Sequence, residues 1–258
     1  MLRKLTVAVL LVSAAILPSL SHAQAPGWAK IRIGVEANYP PFSMMGTDGK
    51  FSGFDIDIAN ALCAEMKADC TLVSQEWDGM MPALNARKFD MIVASMTITE
   101  DRKKVADFSD SYYDIPSTFF AKTGAFTEAT PASLKGKTII VTRNTPRARF
   151  LQANYKDSEL LQVSKEAEVS SELVAGRGNI GFGSSLAATA AFLKSPAGKD
   201  FAKVGGPVKP SSEGNGIAMR KGEDSLRTKV NTALKAITAN GVYKTINDKY
   251  FDVNIRGE

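Results

Sequence analysis

The chain has 258 residues, of which 44% are hydrophobic and 23% charged, and its formal net charge is +5 at pH 7. The positive charge is small and is not gathered into a stripe of lysine and arginine, so the composition gives little support to nucleic-acid binding. A chain of this length exceeds the usual size of one hydrophobic core, and two lobes are therefore expected.

The first residues are typical of a secretory signal peptide. Arg3 and Lys4 precede an apolar run over residues 5–17, and cleavage is predicted after Ala23. The run is too short for a membrane-spanning helix, which needs roughly 20 apolar residues, and no later stretch approaches that length. Because this segment carries two basic and no acidic residues, cleavage lowers the charge from +5 to +3. It also removes His22, the only histidine, which excludes mechanisms that need an imidazole.

The next part of the chain alternates predicted strands and helices. Residues 31–35 alternate in polarity and end before a Pro-Pro turn, which predicts a strand. Apolar residues recur every four positions from Phe54 to Met66, which predicts a helix with one face on the sheet. Further elements are predicted at 71–74 (strand), 79–87 (helix) and 91–94 (strand). This order is typical of a mostly parallel sheet that binds ligands outside the carboxyl ends of its strands.

The second lobe is predicted to repeat this alternation. Phe119 and Phe120 lie in an extended stretch after Pro116, a candidate first crossing between the lobes. The elements predicted beyond it are a short helix capped by Thr130 with Pro131 at its first position, a strand at 138–142, a helix at 147–154 and a strand at 179–182.

The chain is predicted to finish in the first lobe. Residues 205–216 are rich in loop-forming residues, and 217–219 are predicted to be a returning strand. Apolar faces predict two final helices at 226–237 and 242–250. The predicted domains are a signal peptide at 1–23, a first lobe at 24–116 and 215–258, and a second lobe at 117–214.

Cys63 and Cys70 are the only cysteines. In an exported protein an even pair predicts a disulfide, and the short loop that it closes suggests about 2 to 3 kcal/mol of stabilisation. The alternative, a pair of reactive or metal-binding thiols, is not supported by the spacing or by a neighbouring histidine. The acidic residues show no metal-loop spacing either, so no metal and no cofactor is expected.

Three kinds of side chain follow one another in a fixed order: the aromatics Tyr39 and Trp77, then the hydroxyls of Ser95 and Thr97, then Arg102. Two aromatic faces can sandwich a flat or cationic group. Arg102 with neighbouring hydroxyls can form two parallel hydrogen bonds to a carboxylate. The set contains no nucleophile, so it predicts a binding pocket for a small, flat, charged molecule.

Several motifs occur in register with those of a known family. They are Ile31-Arg-Ile-Gly-Val35, Tyr39-x-Pro-Phe42, Gly53-Phe-Asp-Ile-Asp57, Cys63-x6-Cys70 and Ser95-x-Thr-x4-Arg102, continued by Ser133-Leu-Lys-Gly-Lys137, Ala175-Gly-Arg177 and Gly241-x-Tyr243-x6-Tyr250-Phe251. The chain resembles the periplasmic polar-amino-acid-binding proteins of ABC importers, the lysine/arginine/ornithine and histidine binders among them. The resemblance implies a type II periplasmic-binding-protein fold, α/β, with two lobes of mostly parallel sheet joined by two crossings. It also implies a periplasmic monomer that binds a small solute and docks on an ABC permease.

The resemblance assigns roles to residues of the first lobe. Tyr39 and Trp77 correspond to the aromatics that sandwich the ligand side chain, and Arg102 to the residue that binds its carboxylate. Glu36 stands where the relatives place an acid facing a distal cation. The predicted ligand-binding residues here are Glu36, Tyr39, Trp77, Ser95, Met96, Thr97 and Arg102. Each also has a structural alternative, such as a half-buried edge aromatic, a turn-forming serine or a solvated arginine.

The second lobe departs from the family pattern. Where relatives have Gly-[Ser/Thr]-Thr, this chain has Asn144-Thr145-Pro146, and the proline lacks a backbone N–H. The aspartate with which relatives hold the ligand α-ammonium aligns with Ser184, and residues 176–199 contain no acid. Arginines at 143, 147 and 149 cluster near this loop. The predicted ligand-binding residues of this lobe are Arg143, Thr145 and Ser184.

These departures lead to a hypothesis about the ligand. A buried ammonium without a carboxylate costs several kcal/mol. The ligand is therefore expected to depend less on an α-ammonium than a standard amino acid does. A secondary amine, an opine-like conjugate with extra carboxylates and an acid without an α-ammonium are the alternatives.

Two other functions fit the same fold. A dehydratase of the cyclohexadienyl type needs a placed proton donor, and only a glutamate such as Glu36 is available for that task. A module that reports ligand occupancy to a membrane sensor would have the same pocket. The prediction favours a binding protein over an enzyme.

Overall fold

The computed structural model describes residues 27–210 and 213–256, so the predicted signal peptide and its cleavage site lie outside the described residues. The strands are β1 (Lys30–Val35), β2 (Asn38–Tyr39), β3 (Ser43–Met45), β4 (Phe51–Ser52), β5 (Asp69–Ser74), β6 (Met91–Ile92), β7 (Ala106–Phe108), β8 (Ser117–Lys122), β9 (Thr138–Thr142), β10 (Glu159–Val163), β11 (Ile180–Ser184), β12 (Phe201–Val208) and β13 (Ala218–Arg220). The α-helices are α1 (Phe54–Met66), α2 (Met80–Asn85), α3 (Glu100–Lys103), α4 (Pro146–Asn154), α5 (Glu166–Val174), α6 (Ser185–Ala187), α7 (Asp224–Ala239) and α8 (Val242–Tyr250). Among the residues described, no helix is both long and apolar enough to cross a bilayer.

Most of the strands belong to two five-stranded mixed sheets. In the first sheet the order is β5-β1-β6-β13-β7, and β1 runs parallel to both of its neighbours. In the second sheet the order is β10-β9-β11-β8-β12, and β9 is likewise parallel to both of its neighbours. The other pairings are antiparallel: β8 with β11 and β12 in the second sheet, and β13 with β6 and β7 in the first. The predicted α/β class is confirmed.

The chain passes between the two sheets twice. Strands of the first sheet come from residues 30–108 and 218–220, and those of the second sheet from residues 117–208. The two crossing segments meet at a β-bridge between Tyr113 and Asn215. The lobe limits at residues 116 and 214 stay predictions.

Helix α1 packs against the first sheet and against α7 and α8. The apolar residues whose spacing predicted it, from Phe54 to Met66, are buried against α7 and α8. Gly53 precedes the helix with φ 124°, and a Cβ at this position would collide with the backbone of Phe42. Only glycine tolerates that backbone conformation and that close approach.

The disulfide between Cys63 and Cys70 joins the end of α1 to β5, as predicted. The two residues are separated by 7 positions, so the loop is short. We expect the Cys63→Ser, Cys70→Ser double variant to lose about 2 to 3 kcal/mol of the free energy of unfolding, because its unfolded chain is no longer constrained. Urea denaturation measures this loss. A reductant should destabilise the parent protein by the same amount and leave the variant unchanged; equal stability of the two proteins would contradict the estimate.

Some predicted elements differ from the structure. The predicted helix after Thr130 is a series of turns, because Gly136 adopts φ 68° and reverses the chain. The helix predicted at 79–87 ends at Asn85, and Arg87 adopts φ 58°. The region predicted as loop from residue 205 includes the end of β12, which pairs with β8 beyond an irregularity in register. Strand β10 and helix α5 were not predicted.

Candidate ligand-binding site

A cavity that is partly open to solvent lies where residues from the two sheets meet. It is lined by Glu36, Tyr39, Trp77, Ala94, Ser95 and Thr97 from the first lobe and by Thr142, Thr145, Pro146, Arg147 and Glu166 from the second. Most of these residues follow β1, β5, β6, β9 or β10, at the ends where ligands bind to parallel sheets. The cavity therefore has the position expected of a ligand site between two lobes.

The structure brings most of the predicted site residues together. Six of them line this cavity, namely Glu36, Tyr39, Trp77, Ser95, Thr97 and Thr145. Ser184 lines a neighbouring cavity, which also borders Tyr39. Met96 is packed in the hydrophobic core, and Arg143 pairs with Asp78 at the surface. Contact of these residues with a ligand stays a prediction.

Glu36 provides an acceptor without a partner. It follows β1, is only 6% exposed, and its carboxylate accepts no hydrogen bond from the residues described. Burial raises its pKa to about 8, and the nearby carboxylates of Glu166 and Glu76 add to the shift. A cation placed beside Glu36 would stabilise its ionised form.

Arg102 does not line this cavity but packs against the ring of Trp77, which does, with Cζ 5.2 Å from the ring centroid. Its Nη1 donates to the Thr97 carbonyl at 2.7 Å and its Nη2 to the Asn144 carbonyl at 3.1 Å, so it touches both lobes. No carboxylate of the described chain pairs with it. Burial, together with repulsion from Arg149 and Arg147, lowers its pKa to about 9. The guanidinium is therefore a buried cation without a counter-charge.

The Ser95 hydroxyl serves a buried network that the sequence did not reveal. It donates to Asp55 Oδ2 at 2.7 Å, and the Tyr112 hydroxyl donates to Asp55 Oδ1 at 2.8 Å. The backbone N–H of Ser95 donates to the Tyr112 oxygen at 3.1 Å, and Ser95 itself adopts φ 53°. Burial raises the pKa of Asp55 to about 7. These bonds fix the loop that carries Thr97 into the cavity.

The second lobe does contribute a carboxylate to the cleft, which corrects the sequence argument. Glu166, at the start of α5, accepts from the Ser184 backbone N–H at 2.8 Å through Oε1. Its Oε2 accepts from the Thr142 hydroxyl at 2.7 Å and from Arg147 Nη2 at 2.8 Å. The acid was missed because it was sought only in residues 176–199. Its position just after a parallel strand is the signal that would have found it.

Thr145 and Pro146 start helix α4. The Thr145 hydroxyl accepts from the Ala148 N–H at 3.1 Å and donates to the Thr142 carbonyl at 2.7 Å. Pro146 occupies the first turn, where no backbone donor is needed. The Thr145 hydroxyl is therefore used by the helix cap, and the helix directs Arg147 into the cleft.

Ion pairs close the cleft on the outside. Asp78 accepts from Arg143 Nε at 2.7 Å and from Asn144 Nδ2 at 2.6 Å. Lys165 and Glu76 form a second pair at 3.2 Å. The partners in each pair come from different lobes, so these contacts join the lobes across the mouth of the cleft.

Asp78→Ala should speed ligand release. The substitution removes the hydrogen bonds from Arg143 and Asn144 that join the two lobes. Because these bonds are half exposed, we expect the ligand to dissociate only about two- to fivefold faster. Stopped-flow release of a bound ligand measures this rate. Asp48→Ala, which removes an exposed acid paired with Lys50 away from the cleft, is the matched control. Equal release rates of the two variants would show that the Asp78 contacts do not hold the lobes together around the ligand.

Residues 31–253 match the family of bacterial extracellular solute-binding proteins, family 3. The chain belongs to this family. It is 45% identical over 232 residues to the L-arginine-binding protein of Pseudomonas aeruginosa, covering 88% of this chain and 90% of that protein. It is 35% identical over 243 residues to the lysine/arginine/ornithine-binding periplasmic protein of Escherichia coli, covering 92% and 93%. The predicted resemblance is confirmed.

Solved structures show the same relationship. An ancestral arginine-binding protein bound to arginine superposes with a TM-score of 0.80 at 33% identity, covering 86% of this chain and 98% of that one. The two-lobe fold class is thereby confirmed. These relatives are binding proteins, so the prediction of a solute-binding protein in place of an enzyme is also confirmed.

Proposed function

We propose that the protein binds a polar amino acid with a cationic side chain, or a derivative of one, and delivers it to an ABC permease. One observation carries the proposal: a buried acid without a partner, Glu36, lines an aromatic-walled cleft, and a buried cation without a counter-charge, Arg102, packs against Trp77 beside that cleft. A ligand with a carboxylate and a distal cation supplies both missing charges. The names of the relatives, which bind arginine, lysine and ornithine, support this chemistry.

Binding would proceed by closure of the lobes. The first lobe offers Glu36, Tyr39 and Trp77 to the ligand, and the second lobe then closes through α4 and α5. A ligand shifts the balance between open and closed forms only by the contacts that the closed form adds. Contacts of the ligand with Arg147 and Glu166 would belong to this class.

The proposed site of action is the periplasm. An apolar N-terminal segment with a predicted cleavage site after Ala23 supports export, and the relative from Escherichia coli is named as periplasmic. The proposed partner is an ABC permease that recognises the closed form, and the protein is proposed to act as a monomer. Sequencing the N-terminus of the exported protein tests the cleavage site directly.

Calorimetric titration tests the proposed ligand class. L-arginine, L-lysine, L-ornithine and L-histidine form one set, and L-glutamate and L-glutamine the other. We expect micromolar or tighter binding within the cationic set, which corresponds to about 8 kcal/mol, and at least about tenfold weaker binding in the other. Preference for glutamate, or no binding of any cationic amino acid or derivative, would overturn the proposal.

A further inference from the structure

Tyr112 is fully buried and does not line the cavity of the candidate site. It belongs to residues 109–116, which lead from β7 of the first sheet to β8 of the second. Its backbone N–H donates to the carbonyl of Asn215, in the other crossing segment, at 2.9 Å. Its carbonyl accepts from the Tyr243 hydroxyl of α8 at 2.6 Å. The backbone of Tyr112 is therefore held by the second crossing segment and by the first lobe.

The Tyr112 hydroxyl connects this crossing segment to the loop that follows β6. It donates to Asp55 Oδ1 at 2.8 Å and accepts from the backbone N–H of Ser95 at 3.1 Å. An ionised carboxylate only accepts hydrogen bonds, so Asp55 draws the phenol proton and leaves the phenol oxygen to accept from Ser95. The Tyr112 ring packs against the rings of Phe54 and Tyr113. The position of the hydroxyl is thus set by the core of the first lobe.

Ser95 has a backbone conformation that needs such support. Its φ is 53°, in the left-handed region, which is unfavourable for residues other than glycine. Its N–H is held by the Tyr112 hydroxyl, and its carbonyl accepts from the Asn215 side-chain amide. The two polar backbone groups of Ser95 are therefore each held by a side chain from a different crossing segment. Loss of the hydroxyl would leave the buried N–H without this acceptor, which favours a change of conformation at Ser95.

A change at Ser95 would reach the ligand through its neighbours. Ala94, Ser95 and Thr97 all line the cavity. The Thr97 carbonyl also accepts from Arg102 Nη1 at 2.7 Å, so the loop helps to orient the guanidinium. In the proposed function Arg102 meets the ligand carboxylate. An error in the loop should therefore weaken the carboxylate end of the site more than the end at Glu36.

We propose that Tyr112 is a positioning residue of the ligand site. From the first crossing segment, and without touching the ligand, its hydroxyl holds residues 94–97 in the conformation that binds the ligand. This inference rests on the proposed function, because it takes the ligand carboxylate to lie at Arg102.

Two matched substitutions test the inference. Tyr112→Phe removes the hydroxyl that bonds to Asp55 and Ser95, whereas Tyr243→Phe removes another buried hydroxyl of the same core, which bonds only to a backbone carbonyl. Calorimetric titration with L-arginine and with L-argininamide, which lacks the carboxylate, measures affinity. Urea denaturation measures the free energy of unfolding of each variant and verifies that it is folded.

A third variant, Asp55→Asn, tests the hydroxyl even where Tyr112→Phe does not fold. It removes the buried charge but leaves an amide oxygen that can accept from the Tyr112 hydroxyl. We expect it to bind L-arginine within about threefold of the parent protein, because the hydroxyl stays in place. A larger loss in Asp55→Asn would assign the positioning to the carboxylate charge and would overturn the role of Tyr112.

We expect Tyr112→Phe to bind L-arginine at least about fivefold more weakly than the parent protein, and L-argininamide less than about twofold more weakly. Tyr243→Phe should lose stability and keep its affinity for both probes. Equal affinity of the two phenylalanine variants for L-arginine would overturn the inference, and so would an equal loss for both probes in Tyr112→Phe. Either result with normal binding by the parent protein leaves the proposed function intact. Failure of the parent protein to bind any cationic amino acid would overturn the proposed function as well.

Discussion

Arg102→Ala should weaken ligand binding by about 2 to 4 kcal/mol, which is roughly a 30- to 1,000-fold loss of affinity. Arg102 is 9% exposed, and no acid of the described chain balances its guanidinium. A ligand carboxylate would supply the missing charge, and removal of Arg102 would leave that carboxylate desolvated and unpaired. Calorimetric titration with L-arginine measures the loss.

Arg102 could also affect binding in a second way, because it donates to the Asn144 carbonyl and so joins the lobes. L-argininamide, which lacks the carboxylate, separates the two roles. If Arg102 binds the carboxylate, the substitution weakens arginine strongly and argininamide little, whereas loss of the lobe contact weakens both equally. Lys104→Ala, which removes an exposed cation just after α3, is the control. Unchanged affinity in Arg102→Ala would remove Arg102 from the site.

Elements that depend on local pattern could be predicted from the sequence. Helix α1 followed from its apolar spacing, and β9 was predicted at its observed limits because a short apolar run there is bounded by polar residues. The turns after Thr130 and the end of β12 could not be predicted. Their conformation depends on a left-handed glycine at 136 and on pairing with the distant strand β8.

The site residues also differ in whether local pattern or distant pairing places them. Tyr39, Trp77 and Thr97 follow predicted strands, so their placement at one edge could be inferred from topology. The pair of Arg147 and Glu166 forms where the first turns of α4 and α5, which pack on opposite faces of the second sheet, meet at the ends of β9 and β10. Strand β10 was not predicted, and without it Glu166 had no place near Ser184. Because β10 was not predicted, the sequence did not reveal that Glu166 gives the second lobe a carboxylate in the cleft.

Glu36 should make ligand binding depend on pH. In the empty cleft its pKa is raised to about 8, first by burial and then by Glu166 and Glu76, so near neutral pH the group carries a proton. A distal cation favours the ionised carboxylate, and binding must then expel that proton. Between about pH 6 and pH 8, affinity for arginine should therefore rise with pH, by at most about tenfold per unit, and the rise should end near pH 8.

The proton itself can be counted, because calorimetry in buffers of different ionisation enthalpy reports its release. We expect close to one proton per arginine at about pH 6 and none well above pH 8. Glu36→Gln should abolish the release and flatten the pH profile. L-citrulline, which lacks the distal cation, should release no proton from the parent protein. Asp55, whose pKa burial raises to about 7, is the other group that titrates in this range. Proton release that persists in Glu36→Gln would therefore assign it to the buried Asp55 network and would place the cation of the ligand elsewhere in the cleft.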